Sequence, residues 1–171
     1  MNVLIVVDMQ NDFITGALGS KEAVAILPAV VDKIKNFDGM VLATRDTHGE
    51  NYLSTAEGKK LPVPHCIKGG IGWHLVRDIE RLLVTPPIDK PTFGSAELGQ
   101  MLSSYNKIKP IEAVTLIGVC TDICVFSNAL LIKAFLPEAT VKVDASCCAG
   151  TTPEAHERAL QAMKNCQIEI V

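Results

Sequence analysis

Met1-Asn2-Val3-Leu4-Ile5-Val6-Val7-Asp8 decides the reading of the fold. Five consecutive apolar residues, mostly β-branched, ending on a carboxylate suit a strand buried on both faces, with a polar group at its carboxyl end. The stretch reads as a strand rather than as a signal peptide, because it has no basic leader and no small-residue cleavage site. The same habit returns in Met40–Ala43, Ala113–Val119 and Thr140–Val143, and Gln167–Val171 closes the chain as a fifth strand. Between these runs the apolar spacing is helical. Lys21–Asn36 sets Val24, Leu27, Val31 and Ile34 on one stripe, and Trp73–Leu83, Ala96–Tyr105, Cys124–Phe135 and Pro153–Asn165 read as further helices. Thr152 is placed to cap the last of them, with Pro153 in its first turn. Strand–helix alternation predicts a parallel sheet covered by helices on both sides, an α/β protein of three layers. At 171 residues the chain is expected to form one domain over 1–171.

Composition narrows the function classes. A net charge of −3 provides no basic field for nucleic acid or for an anionic membrane surface. No apolar run reaches the roughly 20 residues of a spanning helix. The six cysteines (66, 120, 124, 147, 148 and 166) are sparse and lie mostly in apolar stretches, so they predict a cytoplasmic protein without a disulfide framework. Cys66, Cys147, Cys148 and Cys166 are read as small buried hydrophobes.

Chemistry in parallel sheets collects at the carboxyl ends of the strands. That rule directs attention to Asp8, to Thr44–His48 and to Cys120–Cys124. Gly118-Val119-Cys120-Thr121-Asp122-Ile123-Cys124-Val125 runs from a strand into a helix, with Cys124 in the first turn. Free N–H groups and the helix dipole there favour a thiolate, lowering its pKa, and can receive an oxyanion. Spacing alone leaves core packing open for Cys124, a cap or loop role for Asp8 and a surface position for Lys90. Arg45-Asp46-Thr47-His48 sets a carboxylate and an imidazole two residues apart, hence on one side of an extended segment. His65 follows in Pro62-Val63-Pro64-His65-Cys66. One carboxylate and two imidazoles suit zinc, iron or manganese with open coordination positions; a polar loop surface is the alternative. The long region from Gly49 to Gly72 has the length of a functional loop.

Three motifs together carry a resemblance. Asp8-Met9-Gln10-Asn11-Asp12-Phe13, Lys90 ahead of Phe93-Gly94-Ser95-Ala96, and the Gly118–Val125 turn are similar, in order and spacing, to the isochorismatase-like cysteine hydrolases. The branch most resembled is that of nicotinamidases and related amidases. The resemblance implies an isochorismatase-like hydrolase fold with a six-stranded, mostly parallel, Rossmann-like sheet. It implies a triad of Asp8, Lys90 and Cys124, a cis peptide between Val119 and Cys120, and an oxyanion hole from the Cys120 and Cys124 N–H groups. It implies a divalent metal, zinc first, with iron or manganese as alternatives, on Asp46, His48 and His65, with Glu57 as a fourth ligand and His74 as its rival; His74 is expected at the surface or at a helix N-terminus.

The activity implied is hydrolysis of a small carboxamide to acid and ammonia through a thioester, nicotinamide foremost. A ureido- or carbamoyl-group hydrolase of the same fold and a catalytically idle binding module are the alternatives. Isochorismatase chemistry itself would leave Cys124 without a purpose. A homo-oligomer is expected by analogy. Leu61-Pro62-Val63-Pro64 lacks the tryptophan that many nicotinamidases place there. Phe13 is a candidate to cover one ring face, with core packing as the alternative, and Trp73 and Tyr52 are candidates for the other face that the sequence does not place.

Overall fold

The computed structural model describes all 171 residues. Six strands form one sheet: β1 (Asn2–Val7), β2 (Met40–Asp46), β3 (Ile88–Lys90), β4 (Ala113–Val119), β5 (Thr140–Ala149) and β6 (Glu169–Ile170). Their order is β3-β2-β1-β4-β5-β6, and every pairing is parallel. Seven helices complete the chain: α1 (Asn11–Ile14), α2 (Lys21–Lys35), α3 (Ala56–Lys60), α4 (Arg77–Glu80), α5 (Ala96–Ile108), α6 (Phe126–Phe135) and α7 (Pro153–Asn165). No helix is long and apolar enough to cross a membrane.

The apolar runs are continuous because both faces of the central strands are covered. Val3, Ile5 and Val7 of β1 face a core built with Leu98 and Leu102 of α5, Ala129 and Ile132 of α6, and Leu160 and Met163 of α7. Leu4 and Val6 face the opposite core, with Phe13 and Ile14 of α1, Ala23, Val30 and Ile34 of α2, and Ile79 of α4. Each such fully buried aliphatic side chain stabilises the fold by about 1.5–3 kcal/mol relative to exposure. The strand order reverses between β1 and β4, which lie side by side with Val7 opposite Gly118. Asp8 and the Cys120–Cys124 turn thus leave the sheet together, at the place where open α/β sheets bind ligands.

Several expected boundaries shift. β2 continues through Asp46, so Thr44 to Asp46 belong to the strand rather than to the loop after it. β5 continues to Ala149. β3, only three residues long, gives no sequence signal of its own. Trp73–Leu83 is not one helix: Ile71–Trp73 is a 3₁₀ turn and only Arg77–Glu80 is α-helical. Cys124 sits in a π-helical turn, Thr121–Val125, that precedes α6. On α2 the buried stripe is Ala23–Val30–Ile34, with Leu27 and Val31 half-buried; Val24 is 45% exposed, because the helix is turned about one residue from its expected phase. Thr152 caps α7 through the Ala155 N–H at 3.1 Å, as its spacing predicts. All six cysteines are free, but Cys166 is exposed beyond the last turn of α7, not buried.

Candidate active site

Asp8 occupies a left-handed backbone conformation (φ 49°) as β1 ends, a region that non-glycine residues rarely adopt. The turn swings its side chain beneath the neighbouring strands. Its Oδ1 accepts a hydrogen bond from Thr44 Oγ1 at 2.7 Å, and its Oδ2 lies 2.7 Å from Lys90 Nζ. Lys90 ends β3, with Asp46 opposite it on β2. Its ammonium donates to Cys124 Sγ at 3.4 Å and to the Thr92 carbonyl at 3.2 Å, and stands 3.6 Å from Asp46 Oδ1. Asp8 and Lys90 have no solvent exposure and Cys124 has 6%. The structure therefore brings carboxylate, ammonium and thiol together from three strand ends.

Burial governs the electrostatics of the trio. It pushes the Asp8 carboxyl up, with Asp46 adding to the rise and Lys90 opposing it. It also pushes the Cys124 thiol well above its ordinary value, aided by the Asp8 carboxylate and opposed by Lys90. This corrects the expected depression of the thiol pKa: helix-terminal N–H groups are outweighed by full desolvation. Burial disfavours the Lys90 ammonium, but Asp8, Cys124 and Asp46 more than offset it and hold the group above the usual lysine range. The resting trio is a thiol beside a carboxyl of raised proton affinity, with a permanent cation touching both.

Two buried amides, not assigned a role from sequence, lock this arrangement. Asn128 Nδ2 donates to the Cys124 carbonyl at 2.8 Å and the Phe93 carbonyl at 3.2 Å, while its Oδ1 accepts from the Ser95 N–H at 2.9 Å. It ties the segment following Lys90 to the turn that carries Cys124. Gln10 clamps Asp46: its Oε1 accepts from the Asp46 N–H at 2.7 Å and its Nε2 donates to the Asp46 carbonyl at 2.8 Å. The peptide between Val119 and Cys120 is cis, as the resemblance implies. Gly118 precedes it at φ 115°, where a Cβ would strike the Val7 carbonyl oxygen, so only glycine lets β1 and β4 pass this closely.

Asp46, His48 and His65 form a second cluster, with one donor atom of each within 4.8 Å of the others. His48 pairs backbone with the 66–68 segment, its N–H donating to the Cys66 carbonyl at 3.0 Å and its carbonyl accepting from Lys68, which carries His65 alongside. His65 Nδ1 must hold a proton, since it sits 2.8 Å from the Val63 carbonyl, and this turns its Nε2 lone pair inward. His48 Nε2 is fully buried and makes no hydrogen bond, although Asp46 Oδ2 is 2.9 Å away. Glu57 Oε1 stands 3.7 Å from both Nε2 atoms. Against the effect of burial, the two imidazoles and Lys90 hold the Asp46 carboxyl far below the usual carboxylate range. A buried imidazole nitrogen that faces a carboxylate without hydrogen-bonding it, a fixed tautomer beside it and the ionised state of that carboxylate suit a divalent cation.

His74 is exposed and 3.9 Å from Glu80, remote from this cluster, so Glu57 is the residue placed to add a fourth oxygen. A cavity of about 1020 Å³ opens over both groups and is lined by Asp46, His48, Glu57, His65, Cys120 and Cys124 among others. Phe13 lines it and packs against His65 at 5.6 Å between ring centres. The other expected aromatics do not line it. Tyr52 packs behind His48 and His65, and Trp73 is buried under Arg45 with its N–H on Thr47. Phe93 and Ile123 line it instead.

A family model described as Isochorismatase domain matches residues 2–171. A nicotinamidase/pyrazinamidase of Mycobacterium tuberculosis is 25% identical over 185 residues, covering 100% of this chain and 98% of that protein. Among solved structures, the pyrazinamidase of Pyrococcus horikoshii in complex with zinc is 32% identical, with a TM-score of 0.79 over 99% of this chain and 98% of that one. The pyrazinamidase/nicotinamidase of Streptococcus mutans UA159 is 30% identical, with a TM-score of 0.79 over the full length of both chains.

Proposed function

The chain belongs to the isochorismatase domain family, and from that premise we propose that it is a cysteine amidohydrolase converting nicotinamide to nicotinate and ammonia. One observation carries the reading: Lys90 Nζ lies 2.7 Å from Asp8 Oδ2 and 3.4 Å from Cys124 Sγ, beside a cavity shared with the Asp46–His48–His65 cluster.

The raised proton affinity of Asp8 makes it a competent base for the Cys124 thiol. As that proton moves to Asp8, Lys90 stabilises the new thiolate. Sulfur attacks the carboxamide carbon, and the developing oxyanion is held by the Cys120 and Cys124 N–H groups. Asp8 returns the proton to the departing nitrogen, which leaves as ammonia. A water molecule, deprotonated by Asp8, then cleaves the thioester, and the thiolate regains its proton. Asp46, His48 and His65, with Glu57 as fourth ligand, would hold a divalent ion; the zinc complex of the Pyrococcus horikoshii relative supports zinc, with iron or manganese as alternatives. When bound, that ion supplies a Lewis-acid site for the ring nitrogen of the substrate. Phe13 covers one face of the ring.

The cavity wall favours a neutral amide over a ureido acid. Its single lysine or arginine is the exposed Lys60, so away from the proposed metal ion a substrate carboxylate would find no buried cation. The intact trio favours an enzyme over an idle binding module. The same reading includes one domain over 1–171, action in the cytoplasm with its thiols reduced, and a homo-oligomer. Ammonia release from nicotinamide, with and without a chelator, tests the function: turnover is expected and is expected to fall on chelation. Release from ureido acids but not from nicotinamide would overturn the assignment.

A further inference from the structure

The cavity is larger than a single-ring carboxamide needs, and the wall beyond the reacting groups is mostly apolar. At about 1020 Å³ it reaches the upper end of the roughly 300–1,000 Å³ range of pockets that enclose drug-sized ligands. Nicotinamide uses only the part formed by the thiol, the oxyanion donors, the metal-type cluster and Phe13. The cavity's apolar remainder comes from three other segments and one turn, with Gly150 and Thr151 after β5 also on the wall. Ala17, Leu18 and Ala23 come from the α1–α2 connection and the start of α2, Leu61 from the end of α3, Phe93 from the segment after β3, and Ile123 from the nucleophile turn. Phe93 and Leu61 leave 46% and 38% of their surfaces exposed, apolar area that a ligand can cover. Apart from the Asp46–His48–Glu57–His65 set, the single charged lining residue is the solvent-exposed Lys60. A charged extension would be desolvated without a partner, while an apolar one is favoured.

We infer that the site takes aromatic carboxamides bearing a neutral apolar substituent about as large as a second ring, packed against Leu18, Leu61, Phe93 and Ile123. This rests on the amidohydrolase reading above and specifies its substrate class. A closed pocket fitted to one ring discriminates by about 10–200-fold against a single additional methylene, so the two geometries predict different selectivity.

The test is steady-state ammonia release by the full chain, supplied with zinc, from nicotinamide, 5-phenylnicotinamide, 6-phenylnicotinamide and 5-carboxynicotinamide. At least one phenyl isomer is expected to match or exceed nicotinamide in kcat/KM, and the carboxylate to fall at least tenfold below it. Ala17→Trp, which places a bulky ring on the apolar wall, is expected to lower the ratio of phenyl-substrate to nicotinamide kcat/KM by tenfold or more. Nicotinamide turnover with both phenyl isomers more than about tenfold slower would overturn this inference and leave the amidohydrolase reading standing. Release from none of the four would overturn both. Turnover of the phenyl isomers without any from nicotinamide would uphold the inference and remove nicotinamide as the substrate.

Discussion

Replacing Lys90 by methionine keeps the length and apolar stem of the side chain but deletes its charge. In the native protein that charge stands 2.7 Å from Asp8 Oδ2 and 3.6 Å from Asp46 Oδ1, and Lys90 and Asp8 are wholly buried. Breaking a buried pair by removing one partner costs about 3–5 kcal/mol, because the remaining charge is left without compensation. For a chain of this length each kcal/mol shifts Tm by about 2–4 °C, so Lys90→Met is expected to lower Tm by roughly 6–20 °C. A domain with about 5–15 kcal/mol of total stability should still fold in most of this range, which permits kinetics on the folded variant. Loss of the cation beside the developing thiolate is expected to reduce kcat by about 10²–10³-fold or more.

The stability loss has a pH signature. The native Lys90 contribution is complete below the ordinary lysine pKa and fades only as pH rises through its higher folded value, so it is constant from pH 5 to 8. In the variant only the Thr44 hydrogen bond still opposes the effect of burial on Asp8, and its folded pKa rises further above the unfolded value near ~4. A carboxyl that binds its proton more tightly when folded makes stability fall as pH climbs between those two values. The gap between wild type and variant should therefore be larger at pH 8 than at pH 5, measured by urea unfolding with circular dichroism. A variant as stable as wild type at pH 8, or one retaining turnover within tenfold, would refute the assignment of Lys90 as the buried cation on which the trio depends.

Three further outcomes follow from the same geometry. Cys124→Ala is expected to abolish ammonia release while the circular dichroism spectrum is preserved; full residual turnover would remove Cys124 as nucleophile. Gln10→Met frees the Asp46 backbone from both of its clamping hydrogen bonds, and zinc affinity measured by competition titration should fall by about 10–100-fold, as for other groups that orient ligands; unchanged affinity would mean that Asp46 is held by its strand alone. Asp144, which accepts from Lys33 Nζ at 2.7 Å and from Ser146, is held below the ordinary carboxylate range, these bonds outweighing its burial. Its stabilisation is thus present above an unfolded pKa near ~4 and lost as pH falls through the lower folded value. Asp144→Asn should cost about 1 kcal/mol at pH 7 and progressively less as pH falls through that lower value, and a loss independent of pH would contradict the ion pair.

What was legible in the sequence divides along a physical line. Strands such as Val3–Val7 and Ala113–Val119 announce themselves because burial on both faces demands an unbroken apolar run, and that burial is a property of each strand alone. β3 gives no such signal. Ile88-Asp89-Lys90 is too short, and its middle residue is an aspartate that pairs with Arg45 at 2.8 Å on the neighbouring strand. Lys90 consequently carries no local pattern, and only the motif resemblance marks it. The Cys124 thiol shows the limit from the other side. Its position at a helix start is readable and suggests a lowered pKa, but the burial and the Asp8 and Asp46 carboxylates that reverse the shift come from segments distant in sequence.

The aromatic assignments failed for the same reason. Trp73 and Tyr52 are near the right segments, yet a side chain's partners decide whether it faces a cavity or supports its wall. Trp73 is claimed by Arg45 and Thr47, and Tyr52 by the imidazoles and the Leu61 carbonyl. Asn128 and Gln10 carry the argument furthest. Each uses a single buried amide to bind three backbone groups from segments distant in sequence. Within α6 and in the segment after β1 they read as ordinary polar residues. Removing either should misalign a site whose named residues are all still present.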